Sequence, residues 1–281
     1  MIPADIEFLS TLIRQRSGIS ISSDKAYLLD NRLTPIVEQR KLGSIPALVA
    51  ALRGGRDDAL ARDVVEAMTT NETLFFRDSK PFDLLRTEFL PALTAVRLSS
   101  RTLKIWSCAC STGQEPYSVA MLLKEEAPKL ADWRINIVAT DIARSVLNKA
   151  RKGVYTQFEV QRGMPIKLLV KYFKQIGANW EIDPSIRSMV EFRENNITQD
   201  APPLPSFDVI FCRNLLIYFE QDLKRRILDK LAAALAPDGV LFLGGAESVF
   251  GLTERLEPAP GQRGAYRIAP RPDAAMLRAA G

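Results

Sequence analysis

Apolar positions in the first part of the chain recur at the three- and four-residue spacing of one helix face. Ile6, Leu9, Leu12 and Ile13 predict a first helix. Tyr27, Leu28, Leu33, Ile36 and Val37 predict a second over 24–40, with Ser23 as its N-cap and Gly43 just past its end. Two shorter helices fit 46–52 and 57–68. No strand-like alternation interrupts them, so residues 1–68 are expected to form an all-helical domain and 69–80 a connector.

From Leu103 the pattern turns to short apolar runs separated by amphipathic stretches. Strands are expected at 103–106, 135–139, 189–192, 207–211 and 240–243, with helices at 115–126, 143–152 and 221–235 between them. Phe207-Asp208-Val209-Ile210-Phe211 is apolar enough for a strand covered on both faces. A late edge strand is expected at 265–268. This alternation predicts an α/β fold with a doubly wound, Rossmann-like parallel sheet over residues 81–270, its ligand rim at the strand C-termini. Residues 153–188 break the rhythm. A helix at 165–173 precedes Trp180-Glu181-Ile182-Asp183-Pro184, one arm of a small β-hairpin inserted at about 175–190. Residues 271–281 form an Ala- and Arg-rich tail with no readable structure.

Composition narrows the chemistry. The 281 residues contain no histidine, which removes His-based hydrolases, histidine general bases and nearly all zinc enzymes. Three cysteines, with Cys108 and Cys110 spaced C-x-C, build neither a four-ligand metal site nor a C-x-x-C redox motif, so no metal is expected. A net charge of +5 (38 basic minus 33 acidic) permits an acidic partner, and no block of like charges calls for nucleic acid. No apolar run approaches the roughly 18 residues a membrane span needs, and the start, Met1-Ile2-Pro3-Ala4-Asp5, has no secretory-signal pattern. A cytoplasmic protein is expected.

Four segments stand where a ligand rim would be. Ser107 to Pro116 joins the first sheet strand to its helix with small residues, which let a ligand approach the backbone. It is neither G-x-G-x-x-G nor a P-loop, and Glu115 at the helix start repels phosphate. An ordinary strand–helix turn accounts for it equally well. Asp141 at the tip of the second strand suits ribose hydroxyls, or a helix N-cap. Arg213-Asn214 ends the fourth strand, and lacks the Asn/Asp-Pro-Pro-aromatic cluster of adenine-specific DNA methyltransferases. Thr69 to Asp78 sets polar residues around Phe75 and Phe76 at the hinge between the domains.

Taken together, Asn-x-Thr-x-Phe-Phe-Arg at 71–77, Ser-Thr-Gly-Gln-Glu-Pro-Tyr-Ser at 111–118, Ala-Thr-Asp-Ile at 139–142 and Phe-Cys-Arg-Asn-x-x-Ile-Tyr-Phe at 211–219 resemble the CheR-type chemotaxis methyltransferases. The resemblance runs from the helical start to about Ile268. It implies S-adenosylmethionine-dependent methylation of glutamate side chains on chemoreceptors. Asn71, Thr73, Arg77, Glu115 and Asp141 would contact the cofactor, with Asn196, Ile197, Asn214 and Leu215 lining the same pocket. Arg77 and Tyr218 would lie near the transferred methyl as the catalytic pair. The implied partners are chemoreceptor cytoplasmic helices or similar signalling proteins, with recruitment to membrane-bound receptors but no insertion of this chain into the bilayer. The absent histidine fits, because a glutamate carboxylate of pKa about 4.3 is already ionised at neutral pH and needs no general base. Two other classes share these features: an RNA or small-molecule methyltransferase on the same sheet, and a non-catalytic receptor-binding module.

Overall fold

A computed structural model describes residues 1–21, 26–55, 57–203 and 206–270. The expected N-cap at Ser23 and the tail at 271–281 lie outside the described residues.

The first four helices are α1 (Pro3–Ser17), α2 (Tyr27–Gln39), α3 (Ile45–Arg53) and α4 (Asp58–Met68). Their boundaries follow local chemistry. Ser44 Oγ accepts the Ala47 N–H at 3.3 Å, and Asp57 accepts the Leu60 N–H at 2.8 Å, each capping a helix start. Leu9, Ile13, Leu29, Leu33, Leu48 and Val64 meet in a shared core. Gly18 ends α1 at φ 77°, where a Cβ would lie 2.3 Å from the Leu223 side chain. The end of α1 therefore lies directly against the second half of the molecule.

A helical run that the pattern does not predict follows. It comprises α5 (Lys80–Leu84), a π-helical turn over Leu85–Phe89 and α6 (Leu90–Val96). Pro81 and Pro91 read as breakers, yet Pro81 sits in the first turn and Pro91 follows a widened turn, positions that tolerate a missing N–H. Phe82, Leu85, Leu90 and Leu93 are buried beneath the sheet.

The remaining elements are β1 (Thr102–Cys108), α7 (Gln114–Glu125), β2 (Arg134–Asp141), α8 (Arg144–Lys152), β3 (Val154–Thr156), α9 (Gln157–Gln161) and α10 (Ile166–Tyr172). There follow β4 (Phe173–Ile176), β5 (Asn179–Ile182), α11 (Pro184–Arg187), β6 (Val190–Glu194), β7 (Phe207–Cys212), α12 (Gln221–Ala234), β8 (Leu235–Leu243), β9 (Leu256–Pro258) and β10 (Ala265–Ile268). The main sheet runs β6-β2-β1-β7-β8-β10-β9. Its first five strands are parallel, as expected, and β7 is buried throughout.

Two expectations need correction. The 265–268 strand is not at the edge. It pairs antiparallel with β8 on one side and with β9 on the other, so the sheet is mixed. Strand β9 has only three residues and contains Pro258, which hid it from the pattern. The insertion is also larger than a hairpin at 175–190. It is a three-stranded antiparallel sheet, β3-β5-β4, whose first strand begins at Val154.

Register sets the rim. Cys108 at the end of β1 stands opposite Thr140 of β2 and Cys212 of β7, and Cys212 opposite Leu243 of β8. Four central strands thus end at one level. The rings of Phe82, Phe211 and Phe242 stack in the core, with centroids 5.7 and 4.9 Å apart.

Candidate active site

Above this rim lies a cleft with about 960 Å3 of empty space, its open mouth included. All ten residues expected at the site line it: Asn71, Thr73, Arg77, Glu115, Asp141, Asn196, Ile197, Asn214, Leu215 and Tyr218. The helical unit contributes Ser17 and Ile19, so both halves of the chain form the walls.

The floor is the loop between β1 and α7. Three of its residues adopt left-handed backbone, Ala109 at φ 56°, Ser111 at 50° and Gly113 at 93°. Conformations of this kind are costly for residues other than glycine and persist where surrounding bonds enforce them. Those bonds are present. Cys110 N–H donates to Thr140 O at 2.9 Å, Ser111 N–H to Asp141 Oδ2 at 2.8 Å, and Ser111 Oγ to Asn71 O at 2.7 Å. At Gly113 a Cβ would lie 2.9 Å from that of Ala150, so only glycine brings α7 this close to α8.

Asp141 uses both oxygens on backbone, accepting from Ser111 N–H and, at 2.9 Å, from Ala143 N–H. The helix cap expected of it falls instead to Ala143, which has no side-chain cap bond, and Asp141 makes a local turn with the Ala143 N–H while lining the cleft. Burial pushes its carboxyl above the ordinary range, against the pull of those N–H donors. Glu115 accepts from Ser107 Oγ at 2.8 Å and from Arg213 Nη1 at 3.1 Å. Burial also raises Glu115, and Arg213 opposes the shift.

The connector 69–80 is fastened over this floor. Phe76 N–H donates to Ser118 Oγ at 2.9 Å, and Arg213 Nη2 donates to Arg77 O at 2.8 Å. Arg77 itself makes one side-chain bond, from Nη1 to Glu72 O at 3.1 Å. Tyr218 sits on a 3-10 turn, Leu216–Tyr218, and its hydroxyl makes no hydrogen bond among the described residues. Asn196 is committed to structure, its Nδ2 donating to Arg16 O at 2.6 Å and its Oδ1 accepting from Thr198.

The chemistry of this lining fits S-adenosylmethionine. Two buried carboxylates, Glu115 and Asp141, suit an ammonium and ribose hydroxyls, while Ile142, Ile197 and Leu215 offer an apolar surface to a purine. Two buried side-chain polar atoms lack a partner among the described residues, Asn195 Oδ1 and Arg213 Nε, and both residues line this cleft. Asn195 follows β6 and Arg213 follows β7, so the two unpaired atoms stand on opposite sides of the cleft, and groups of this kind are ones a polar ligand or water would satisfy.

Residues 4–69 match the model for the all-alpha domain of CheR methyltransferases, and residues 71–265 match the model for their S-adenosylmethionine-binding domain. The chain belongs to the CheR methyltransferase family. It is 41% identical over 258 residues to chemotaxis protein methyltransferase 1 of Pseudomonas aeruginosa, covering 90% of this chain and 93% of that one. Chemotaxis protein methyltransferase 1 of Vibrio cholerae is 40% identical over 248 residues, covering 87% and 89%. The chemotaxis protein methyltransferase of Borreliella burgdorferi is 32% identical over 252 residues, covering 88% and 89%.

In this CheR-family chain two further residues organise the site: Arg213, which sequence reasoning placed on the rim without a role, and Glu247, which it missed. Arg213 is nearly fully buried and binds Glu115, Asp78 (2.7 Å) and the Arg77 carbonyl at once. Its place in a strand-ending Arg-Asn was the available signal. Glu247 accepts the N–H groups of Asn214, Leu215, Leu216 and Gly244 at 2.6–2.8 Å, and so shapes the Asn214–Leu216 turn. Gly244 admits this, because a Cβ there would lie 2.7 Å from Glu247 and 2.8 Å from the Asn214 nitrogen. Nothing in the sequence pattern marked Glu247.

Proposed function

We propose that this chain methylates glutamate side-chain carboxylates of chemoreceptors, forming glutamyl methyl esters, and that the ten expected residues serve that reaction. One observation carries the reading. Four motifs far apart in sequence converge on one cleft in a chain of the CheR methyltransferase family. In this reading residues 1–68 form the helical domain, 69–80 the connector and 81–270 the transferase domain.

S-adenosylmethionine, when bound, supplies a methyl group on a sulfonium sulfur, and its transfer turns a carboxylate and a sulfonium into a neutral ester and a neutral thioether with no proton moved. The protein therefore needs no general base, in keeping with a chain that has no histidine. Its task is alignment and exclusion of water, and orientation alone is worth on the order of 7–11 kcal/mol. Asp141 and Glu115 hold the polar groups of the cofactor, and Asn71, Thr73, Asn196, Ile197, Asn214 and Leu215 close around it. Arg77 and Tyr218, each with donor capacity to spare, hold the incoming carboxylate. Too tight a grip would stabilise the ground state and slow attack, so a single-point contact suits the reaction better than a buried bidentate pair.

Among the described residues no helix is long and apolar enough to cross a membrane, and no group of ligands could hold a metal ion. In this reading the enzyme is cytoplasmic and is recruited to membrane-bound receptors. Incubation with methyl-labelled S-adenosylmethionine and a receptor cytoplasmic fragment tests the reading. Base-labile label on the fragment is expected. Label on RNA or on small molecules alone would replace this reading with another methyl acceptor. Failure to bind S-adenosylhomocysteine would leave only a binding module.

A further inference from the structure

A second cleft, with about 1420 Å3 of empty space including its mouth, opens beside the first and shares Arg77, Arg213 and Asn214 with it. Its walls are the connector and the start of α5 on one side, and the 244–250 turn with the 263–266 segment on the other. We propose that this cleft seats an acidic segment of the protein substrate, with the reacting carboxylate entering past Arg77 and neighbouring carboxylates meeting Lys80 and Arg263. The inference rests on the methyl-transfer reading above and deepens it by assigning the acceptor's place.

Charge accounting supports this. Six charged side chains line the cleft: Arg77, Lys80, Arg213 and Arg263 against Asp78 and Glu247. Both acids are already committed. Asp78 is paired with Arg213, and Glu247 is covered by four backbone N–H groups. Arg77, Lys80 and Arg263 enter no ion pair among the described residues. The six side chains carry two more positive than negative charges, and three of the cations face one space without a carboxylate partner among the described residues. Electrostatic complementarity of this kind selects partners and speeds encounter. The position is also right, since Arg77 and Arg213 stand at the junction with the cofactor cleft, so a carboxylate held at Arg77 lies where the two spaces meet.

Shape supports an extended occupant rather than a free amino acid. Gly244 and Gly245 leave part of the wall without side chains, and a Cβ at Gly245 would meet nothing within 4 Å. Phe250 projects from the rim with 74% of its surface exposed, an apolar contact suited to the hydrocarbon part of a polypeptide segment.

The test is Lys80→Glu/Arg263→Glu. Both residues are exposed, and neither lines the cofactor cleft, so the fold and the affinity for S-adenosylhomocysteine should persist. With a receptor cytoplasmic fragment as acceptor, KM is expected to rise at least about tenfold, the equivalent of roughly 1.4 kcal/mol, while kcat moves far less. A fragment carrying lysines beside the methylated glutamate should then be a better acceptor for the double variant than for the wild type. Unchanged KM with intact cofactor binding would overturn the proposal and leave the methyl-transfer reading standing. A glutamate-rich helical peptide, fluorescently labelled and added with S-adenosylhomocysteine, separates the two failures. If the wild type methylates no receptor but binds this peptide through Lys80 and Arg263, the acceptor cleft stands and the receptor reading falls. Equal peptide binding by wild type and double variant overturns the cleft.

Discussion

The two ends of the main sheet handle charge in opposite ways. At the end where β1 and β7 begin, Arg97 Nε donates to Asp208 at 2.6 Å and its two Nη atoms grip Asp238 in a fork, also at 2.6 Å. The second oxygen of Asp208 takes the Lys104 N–H at 2.7 Å. Arg97 holds Asp238 below the usual carboxylate range. At the other end, Glu115 and Asp141 are pushed up by burial, Arg213 Nε has no partner among the described residues, and left-handed residues crowd the loops. One end is a finished ion network that ties α6 to the sheet. The other leaves buried polar groups without partners among the described residues, the condition a bound ligand would relieve.

Breaking one arginine at each end separates the two roles. Arg213→Met strands Glu115 and Arg97→Met strands Asp208, both buried, and each loss is expected to cost about 3–5 kcal/mol in urea unfolding. Cofactor affinity should part them. Arg97→Met should bind S-adenosylhomocysteine as the wild type does, whereas Arg213→Met should bind it poorly. Adding Glu115→Gln to Arg213→Met should restore much of the stability, because the stranded charge is gone, without restoring affinity. Equal affinity losses at both ends would erase the distinction drawn here.

A smaller effect is expected from Asp141→Ala. On the proposed function Asp141 is an acceptor for the ribose hydroxyls, and removing it should weaken S-adenosylhomocysteine binding by about 1.5–3 kcal/mol, read by calorimetry. The same substitution frees the Ser111 and Ala143 N–H groups, so the 109–113 loop should also exchange its amide protons faster. An unchanged dissociation constant would leave Asp141 as a backbone tether for the loop and nothing more.

The parallel core and the helical start were legible in the sequence because each depends on local signals, whereas the ten residues that line the cleft were reached through the family resemblance. Period and apolar runs mark elements, and fixed motifs mark the strand tips. What it hid depends on tertiary context. The 80–96 helix is disguised by Pro81 and Pro91, and only packing against the sheet shows that both are tolerated. Strands β3 and β9 are three residues each, too short for a period to register. Glu247 lies in a glycine-rich turn, and its role appears only when four N–H groups from two separate segments close on its carboxylate. Arg213 was visible as a rim residue, but its partners stand 98 and 135 positions away.

The most delicate contrast between the ends is in proton binding. A carboxyl raised by folding binds its proton more tightly in the folded chain than in the unfolded one. Glu115 and Asp141 therefore cost stability at neutral pH, and that cost is relieved as pH falls through their folded values. Asp238 is lowered, so its contribution is present above the ordinary carboxylate value of about 4 and is lost only below it. Mild acid thus reaches the site before it reaches the Arg97 network. A ligand whose ammonium and hydroxyls favour the ionised carboxylates must drive protons off to bind there. Calorimetry of S-adenosylhomocysteine binding in two buffers of different ionisation enthalpy should show net proton release in mild acid, with affinity falling as pH falls. The Glu115→Gln variant should release fewer protons. Proton uptake on binding, or none at any pH tested, would mean that the carboxyls at this rim do not face the cofactor.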